Sequence, residues 1–259
     1  MPIDPAVERL TRLAGLQVFR QADWMERFPT LLQGITGRAP GLDFGFLDGP
    51  TPTADPFAGD GSPSNGWEAL QRGTGIRRVA RCRQVHGAAV ARHLAGEGDG
   101  VIVLGEADGL VTDMAGVLLT VTVADCVPVY LVDPIQRVLG LAHAGWRGTA
   151  AGVVGATLRA MLPLGARLDS LCAHLGPAIC GECYEVGPEV TSALGESPEE
   201  GRYVDLRGLI ASQLRAEGLG PAQVTVSRHC TRCEDRAFYS YRAGDRGRRM
   251  CAFLGWGSR

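Results

Sequence analysis

The sequence predicts one domain of mixed α/β (α+β) class. Its 259 residues, 45% of them hydrophobic, can bury a sizeable core, and no linker clearly divides the chain. Apolar runs at 117–123, 127–132 and 138–142 are rich in Val and Leu and end at turn signals, which is typical of strands buried on both faces. Residues 149–162 and 205–217 carry apolar side chains close to helical spacing, so helices accompany these strands.

The remaining elements follow from local patterns along the chain. The first part predicts a charged helix-like stretch at 7–13 and strands near Val18 and at 31–36. Residues 39–66 are dense in Gly, Pro, Asp and Ser, and we expect an irregular loop that is either mobile or a lid over a site. Further elements are predicted as follows: a helix at 67–72, a strand at 78–84, a strand at 170–175, a helix at 188–194, and strands at 224–226 and 251–254.

Composition excludes several classes of protein. The formal charge is −2, and all 26 basic residues are Arg, so no polybasic excess indicates nucleic acid as a partner. The start of the chain lacks the apolar core of a signal peptide, and the longest apolar stretch, 117–132, is interrupted by Asp125 and Pro128. We therefore expect a cytoplasmic protein without a membrane span, whose eight Cys are reduced thiols or metal ligands.

Three potential metal ligands stand at or just past the ends of predicted strands. They are His86, Cys126 and His143. Zinc accepts imidazole and thiolate ligands, and three protein ligands with an open fourth position form a catalytic zinc site. On spacing alone, a buried Cys and hydrogen-bonded His residues in the core explain the pattern about as well.

The cysteines allow two further interpretations. The CxxC pairs Cys180/Cys183 and Cys230/Cys233 could form a four-Cys structural zinc site, although their separation in sequence exceeds the usual spacing. Alternatively, Cys126 could be a nucleophile paired with His143, with Asp125 or Gln84 orienting the imidazole. This second interpretation uses the residues of the metal site, so the two exclude each other.

Ordered motifs from residue 78 onward resemble the YfiH-type laccase-domain family, whose members are also called polyphenol oxidoreductases or purine nucleoside phosphorylases. The motifs are QVHG at 84–87, ADGLVT at 107–112, ADCVPV at 124–129, HAGWRG at 143–148, GPAI at 176–179, YEVG at 184–187, Cys-Thr at 230–231, FYSYR at 238–242 and Gly-Arg at 247–248. The amino-terminal part departs from the family pattern. Residues 36–38 match it only loosely, and Gly66 stands where the family has an Arg after Asn65.

The resemblance implies a fold, a metal and a reaction. It implies one domain over 1–259, with two packed mixed sheets flanked by helices, and one zinc ion, with copper possible, held by His86, Cys126 and His143. The expected activity is zinc-dependent phosphorolysis of adenosine, inosine and related nucleosides, with adenosine deamination as a second activity. A Cys/His hydrolase, a copper-binding polyphenol oxidoreductase and a catalytically silent zinc-binding homologue are the alternatives. Five His cannot assemble a four-copper oxidase.

Further site residues follow from the chemistry of phosphorolysis. The partners are expected to be a purine nucleoside and phosphate, bound by a monomer or weak homodimer. Guanidinium groups match phosphate oxygens, so Arg147 is a catalytic candidate and Arg242 and Arg248 are substrate-binding candidates. Asp125, beside the ligand Cys126, could act as a base or could position a ligand. The remaining candidates for substrate binding are Arg38 and Gln84, and Arg38, Arg72 or Arg83 could replace the Arg missing at Gly66.

Overall fold

The structure is a computed structural model that describes residues 5–6, 8–38, 44, 66–93, 98–196 and 203–257. Its strands are β1 (Pro5–Ala6), β2 (Glu8–Leu13), β3 (Leu16–Gln21), β4 (Leu31–Thr36), β5 (Arg78–Arg83), β6 (Val90–Arg92), β7 (Gly100–Glu106), β8 (Gly109–Thr112), β9 (Val117–Val123), β10 (Val127–Asp133), β11 (Val138–Ala144), β12 (Cys172–Leu175), β13 (Val224–Ser227) and β14 (Met250–Trp256). Its α-helices are α1 (Ala22–Arg27), α2 (Gly66–Thr74), α3 (Trp146–Ala150), α4 (Val153–Met161), α5 (Pro188–Ala193) and α6 (Leu206–Ala216).

The strands of the described residues form two seven-stranded sheets. The first sheet has the order β1-β13-β12-β10-β11-β8-β6, and the second has the order β2-β3-β4-β14-β9-β5-β7. Both sheets are mixed: β10 pairs antiparallel with β11 and β12 while β6 pairs parallel with β8, and β14 pairs antiparallel with β4 and β9 while β5 pairs parallel with β9. The predicted α/β class with two mixed sheets is confirmed.

Strand β10 shows why its apolar run is continuous rather than alternating. Val127, Val129 and Leu131 pack into a core on the helical side of the first sheet. Tyr130 and Val132 point the other way, into a core that the two sheets share. Because successive side chains of a strand face opposite sides, a strand between two cores must be apolar at every position.

The second sheet also lies between two cores. Leu119 of β9 and Ala252 of β14 pack in the core between the sheets. Leu118 and Phe253, their neighbours in sequence, pack on the opposite side with Leu70 of α2. The first sheet is covered on its outer side by α4 and α6, so the layers run helices, sheet, sheet, helix.

One helix prediction is wrong, and a second helix is interrupted. Residues Glu8–Leu13 form β2, which pairs with β3 across a turn where Ala14 and Gly15 have φ angles of 45° and 89°; charged side chains suit such an edge strand. The helix predicted over 149–162 is divided into α3 and α4, because Gly152 between them has a φ of 79°. The predicted loop at 39–66 lies outside the described residues except for Phe44 and Gly66. In the part of the chain that the structure describes, no helix has the length and apolar character needed to cross a membrane.

Candidate metal centre and active site

The three predicted metal ligands lie where several strands end. Cys126 is in the short connection from β9 of the second sheet to β10 of the first, and His143 is the penultimate residue of β11. Since Val127 is paired with Ala144, the antiparallel register places Cys126 next to Gly145. His86 follows β5 with a φ of 58°, a left-handed conformation that is uncommon outside glycine.

These three side chains meet in space. One ligand atom each of His86, Cys126 and His143 lies within 4.8 Å of the other two. The two imidazole ring centres are 4.9 Å apart, and the ring planes are inclined at 77°. A Cβ atom on Gly145 would lie 2.9 Å from Cys126 Sγ and 3.3 Å from a carbon of the His86 ring, so the HAGWRG segment needs glycine here. The fold thus brings together the ligand set that the sequence predicts.

Asp108 organises two of these three ligands, and the sequence analysis did not single it out. Its carboxylate is fully buried and accepts backbone N–H bonds from Val85, His86 and Gly87 at 3.1, 3.0 and 2.7 Å. It also accepts a 2.8 Å hydrogen bond from His143 Nδ1. This bond fixes the imidazole orientation and leaves Nε2 as the ligand atom, an arrangement typical of histidines that bind metals.

The charges at the centre stabilise one another. Burial disfavours the Cys126 thiolate, but the positive charge of His143 and hydrogen bonds from His143 and His86 outweigh it and lower the pKa of Cys126 to about 6. Burial alone would lower the pKa of His143, but the Cys126 thiolate and the Asp108 carboxylate raise it to about 9. Without metal, the pair is a thiolate and an imidazolium near neutral pH.

This ion pair predicts an unusual pH dependence of thiol reactivity. In metal-free protein, alkylation of Cys126 should reach half its maximal rate near pH 6, because the pKa of this thiol is about 6. An ordinary thiol reacts with a midpoint near its pKa of ~8.5. Peptide mapping after a short pulse of iodoacetamide measures the rate, with half-buried Cys172 as the matched control, because burial raises its pKa. A Cys126 midpoint at or above that of Cys172 contradicts the ion pair.

A cavity with a volume of about 360 Å³ opens beside the centre. This size lies within the range of small-molecule sites, roughly 300 to 1,000 Å³. The lining residues are Arg81, Cys82, Gln84, His86, Thr122, Ala124, Asp125, Cys126, His143, Gly145, Trp146, Arg147, Tyr184, Tyr241, Arg242 and Arg249. The lining therefore includes four arginines and three aromatic residues in addition to the three ligands.

Two of the predicted arginines line this cavity. The Arg147 guanidinium lies over the Trp146 ring, 4.1 Å from its centre, and the Arg242 guanidinium lies 4.8 Å from the centre of the Tyr184 ring. Arg242 Nη1 also donates to the Glu185 carbonyl. Arg81 and Arg249 complete the set and were not predicted; no residue of their local sequence distinguishes them from surface arginines.

The other predicted residues of the cavity are already hydrogen-bonded. The Asp125 carboxylate accepts bonds from Thr231 Oγ1 at 2.6 Å and from the Arg242 backbone N–H at 2.8 Å. The Gln84 amide bonds to the Thr122 backbone in both directions, at 2.8 Å each. The proposal that Asp125 or Gln84 orients His143 is wrong, because the Asp108 carboxylate occupies that position.

Arg38 and Arg248 are not among the cavity-lining residues. The Arg38 guanidinium donates to the Phe238 carbonyl, pairs with Asp245 and lies over the Tyr239 ring. Arg248 is exposed, and its guanidinium lies 5.8 Å from the centre of the Tyr239 ring. Their roles in substrate binding remain predictions.

The two exposed candidates to replace the family arginine are also outside the cavity lining. Arg72 forms an ion pair with Glu68, and Arg83 forms one with Glu106. Gly66 itself is buried at the start of α2, where a Cβ atom would lie 2.9 Å from the Phe44 ring. A larger side chain does not fit at Gly66 beside Phe44.

Comparison with known proteins identifies the family. The family described as multi-copper polyphenol oxidoreductase laccase matches residues 64–256, which include all three ligands and the whole cavity lining. The chain belongs to this family. The chain is also similar to proteins named for reactions of nucleosides. A purine nucleoside phosphorylase of Deinococcus radiodurans is 44% identical over 186 residues, 68% of this chain and 69% of that protein.

Two further relatives are also named for reactions of nucleosides. The purine nucleoside phosphorylase YlmD of Geobacillus stearothermophilus is 40% identical over 205 residues, 70% of this chain and 73% of that protein. Adenosine deaminase RL5, from an unknown prokaryotic organism, is 38% identical over 147 residues, which span 52% of this chain and just over half, 56%, of that protein. The crystal structure of YlmD from Geobacillus stearothermophilus superposes with a TM-score of 0.78 at 31% identity, covering 98% of this chain and 100% of that one.

Proposed function

We propose that this chain is a zinc-dependent purine nucleoside phosphorylase that acts on adenosine, inosine and related nucleosides. The observation that carries the proposal is the composition of one cavity, whose lining includes two imidazoles and a thiol within 4.8 Å of one another, four arginines and three aromatic residues. The names of the Deinococcus and Geobacillus relatives support the same reaction.

The donor set fits a zinc ion. Two neutral imidazoles and one thiolate are ligands that zinc prefers, and three protein ligands leave a position open toward the cavity, as in catalytic zinc sites. Asp108 supplies the buried carboxylate that such sites use to orient a ligand histidine. When bound, zinc supplies Lewis-acid polarisation of a substrate oxygen.

The residues of the chain provide the remaining requirements of phosphorolysis. Arg147 and Arg242, held over Trp146 and Tyr184, present planar forks that match phosphate oxygens. Tyr241, which lines the cavity and is exposed, offers an aromatic face on which a purine base can stack.

Tyr184 and Asp125 have separate roles in this proposal. Burial and the nearby Cys126 charge raise the pKa of Tyr184 to about 12, so its hydroxyl remains a proton donor at neutral pH. Asp125 acts as a positioning residue, because its carboxylate holds the Arg242 backbone and Thr231.

The proposal is tested by incubating the purified protein with adenosine or inosine, with and without phosphate, and separating the products. We expect free base and a sugar phosphate only when phosphate is present, and loss of both after removal of the metal by a chelator, with recovery on adding zinc. Ammonia released from adenosine without free base indicates deamination, the activity in the name of RL5. Turnover that only copper restores, or no turnover with any metal, overturns the proposal.

Removing one phosphate-binding arginine should weaken phosphate binding selectively. Arg147→Ala should raise the KM for phosphate by roughly tenfold to a hundredfold, because a charge-assisted hydrogen bond contributes ~1.5 to 3 kcal/mol. The KM for the nucleoside should change much less. Arg83→Ala is the matched control, since Arg83 is exposed and paired with Glu106 outside the cavity. Equal effects of the two substitutions exclude a phosphate-binding role for Arg147.

One observation favours a second candidate, a Cys/His hydrolase. The site contains a nucleophile, Cys126, a base, His143, and a carboxylate that orients the base, Asp108. His143 Nδ1 is hydrogen-bonded to Asp108 at 2.8 Å. His86→Ala separates the two functions, because it removes a metal ligand and leaves this triad intact. A hydrolase retains activity in this variant and loses it on alkylation of Cys126, whereas a zinc-dependent phosphorylase is already inactive before alkylation.

A further inference from the structure

The two CxxC pairs, which the proposed function does not use, meet away from the cavity lining. Their separation in sequence argues against a shared site, but the fold brings the two pairs together. The Sγ atoms of Cys180, Cys183, Cys230 and Cys233 all lie within 4.8 Å of one another. A backbone bridge between Ala178 and Cys230 holds the two segments side by side.

Backbone hydrogen bonds shape this cluster around the sulfur of Cys230. That sulfur accepts N–H bonds from Cys180 at 3.3 Å and from Cys233 at 3.4 Å. The segment after Cys180 turns in a 3-10 helix, Gly181–Cys183, which returns the second thiol of that pair toward the first. Amide donors aimed at a sulfur stabilise its thiolate form, which is the form that binds metals.

We propose that these four cysteines bind a second zinc ion as a closed, structural site. A zinc ion with four sulfur ligands at ~2.3 Å gives sulfur–sulfur distances of about 3.8 Å by tetrahedral geometry. This value lies between two distances in the structure. The sulfurs of Cys183 and Cys233 are 3.4 Å apart, and all four sulfurs lie within 4.8 Å of one another. Two CxxC pairs are a standard ligand pattern for structural zinc, and four protein ligands leave no position open for substrate.

This zinc would connect two segments that adjoin or contact residues of the cavity lining. Tyr184 follows Cys183 directly, and Thr231, between the ligands of the second pair, donates to Asp125. Arg232 Nη1 donates to the Cys183 carbonyl at 2.9 Å across the same junction. Loss of this zinc should therefore lower stability and raise the KM for substrate more than it lowers kcat.

The test uses Cys126→Ala protein, in which the first metal site is broken and the four cysteines are unchanged. After purification with reductant and dialysis, we expect one zinc ion per chain, and X-ray absorption at the zinc edge should show a shell of sulfur ligands alone. The double variant Cys126→Ala, Cys233→Ser should lose this zinc. Cys126→Ala, Cys172→Ser is the matched control and should retain it, since half-buried Cys172 lies outside the cluster.

Two results overturn the proposal. One is folded Cys126→Ala protein without zinc, or with a zinc shell that contains nitrogen ligands. The other is an intact mass lower by two hydrogens per bridge, which shows disulfides in place of thiolates. The spectroscopic result needs no change in the four cysteines, so misfolding of a Cys233 variant does not affect it. It is also independent of phosphorolysis, because the protein tested lacks the first metal site.

Discussion

Cys126→Ala should lower kcat/KM for phosphorolysis by at least roughly a thousandfold, since bound metal contributes several kcal/mol to transition-state stabilisation. The substitution removes the only sulfur of the three-ligand centre and leaves two imidazoles. It also removes the negative charge that raises the pKa of His143 to about 9. Steady-state kinetics measure the fall in kcat/KM, and metal analysis of the same preparation measures the loss of bound zinc.

The matched control for this substitution is Cys172→Ala, which removes a half-buried thiol outside both clusters. Its kcat/KM should remain within about threefold of the original protein, because Cys172 contacts neither the cavity nor a proposed metal. If Cys126→Ala keeps its activity with added zinc, the centre does not carry the reaction. A variant that loses activity but still binds a zinc ion at His86 and His143, in addition to any zinc at the four cysteines, points instead to Cys126 as a nucleophile.

Much of the fold was predictable because its signals are local. The bounds of β4 and β9 agree with the prediction at both ends. For β9, an almost continuous apolar run delimited by turn residues identifies a strand between two cores. Strand β8, which was not predicted, is only four residues long. The edge strand β2 was assigned to a helix because its charged residues carry no strand periodicity, and only pairing with β3 decides its conformation.

Some residues of the candidate site could be predicted from local sequence signals, and others could not. His86, Cys126 and His143 could be named because each is a rare, chemically specific residue at or just past the end of a strand. Asp108 could not, because its role depends on amides of 85–87 that tertiary structure brings to it. Its one sequence signal is an acidic residue directly before the buried strand β8, inside the ADGLVT motif. The meeting of the two CxxC pairs is likewise a product of tertiary structure.

Asp108→Ala should destabilise the protein and weaken its metal site together. The substitution removes one buried acceptor of four hydrogen bonds, leaving three backbone N–H groups and the His143 ring without their partner. Removing one partner of a buried charged pair lowers the free energy of unfolding by roughly 3 to 5 kcal/mol. For a chain of this size, this corresponds to a fall in melting temperature on the order of 10 °C. Zinc affinity should fall by roughly tenfold to a hundredfold, as expected for loss of a carboxylate that orients a ligand histidine.

Two measurements separate these effects. Denaturant unfolding of the metal-free protein reports the loss of stability, and competition with a chelator on the folded protein reports zinc affinity. Asp113→Ala is the matched control, because this carboxylate is exposed and pairs with Arg92. The stability of this variant should differ from that of the original protein by less than about 1 kcal/mol. Since Asp108 holds His86 through the backbone and His143 through the ring, its loss must affect two ligands at once. If zinc affinity is unchanged in folded Asp108→Ala protein, the carboxylate stabilises the fold without orienting the metal ligands.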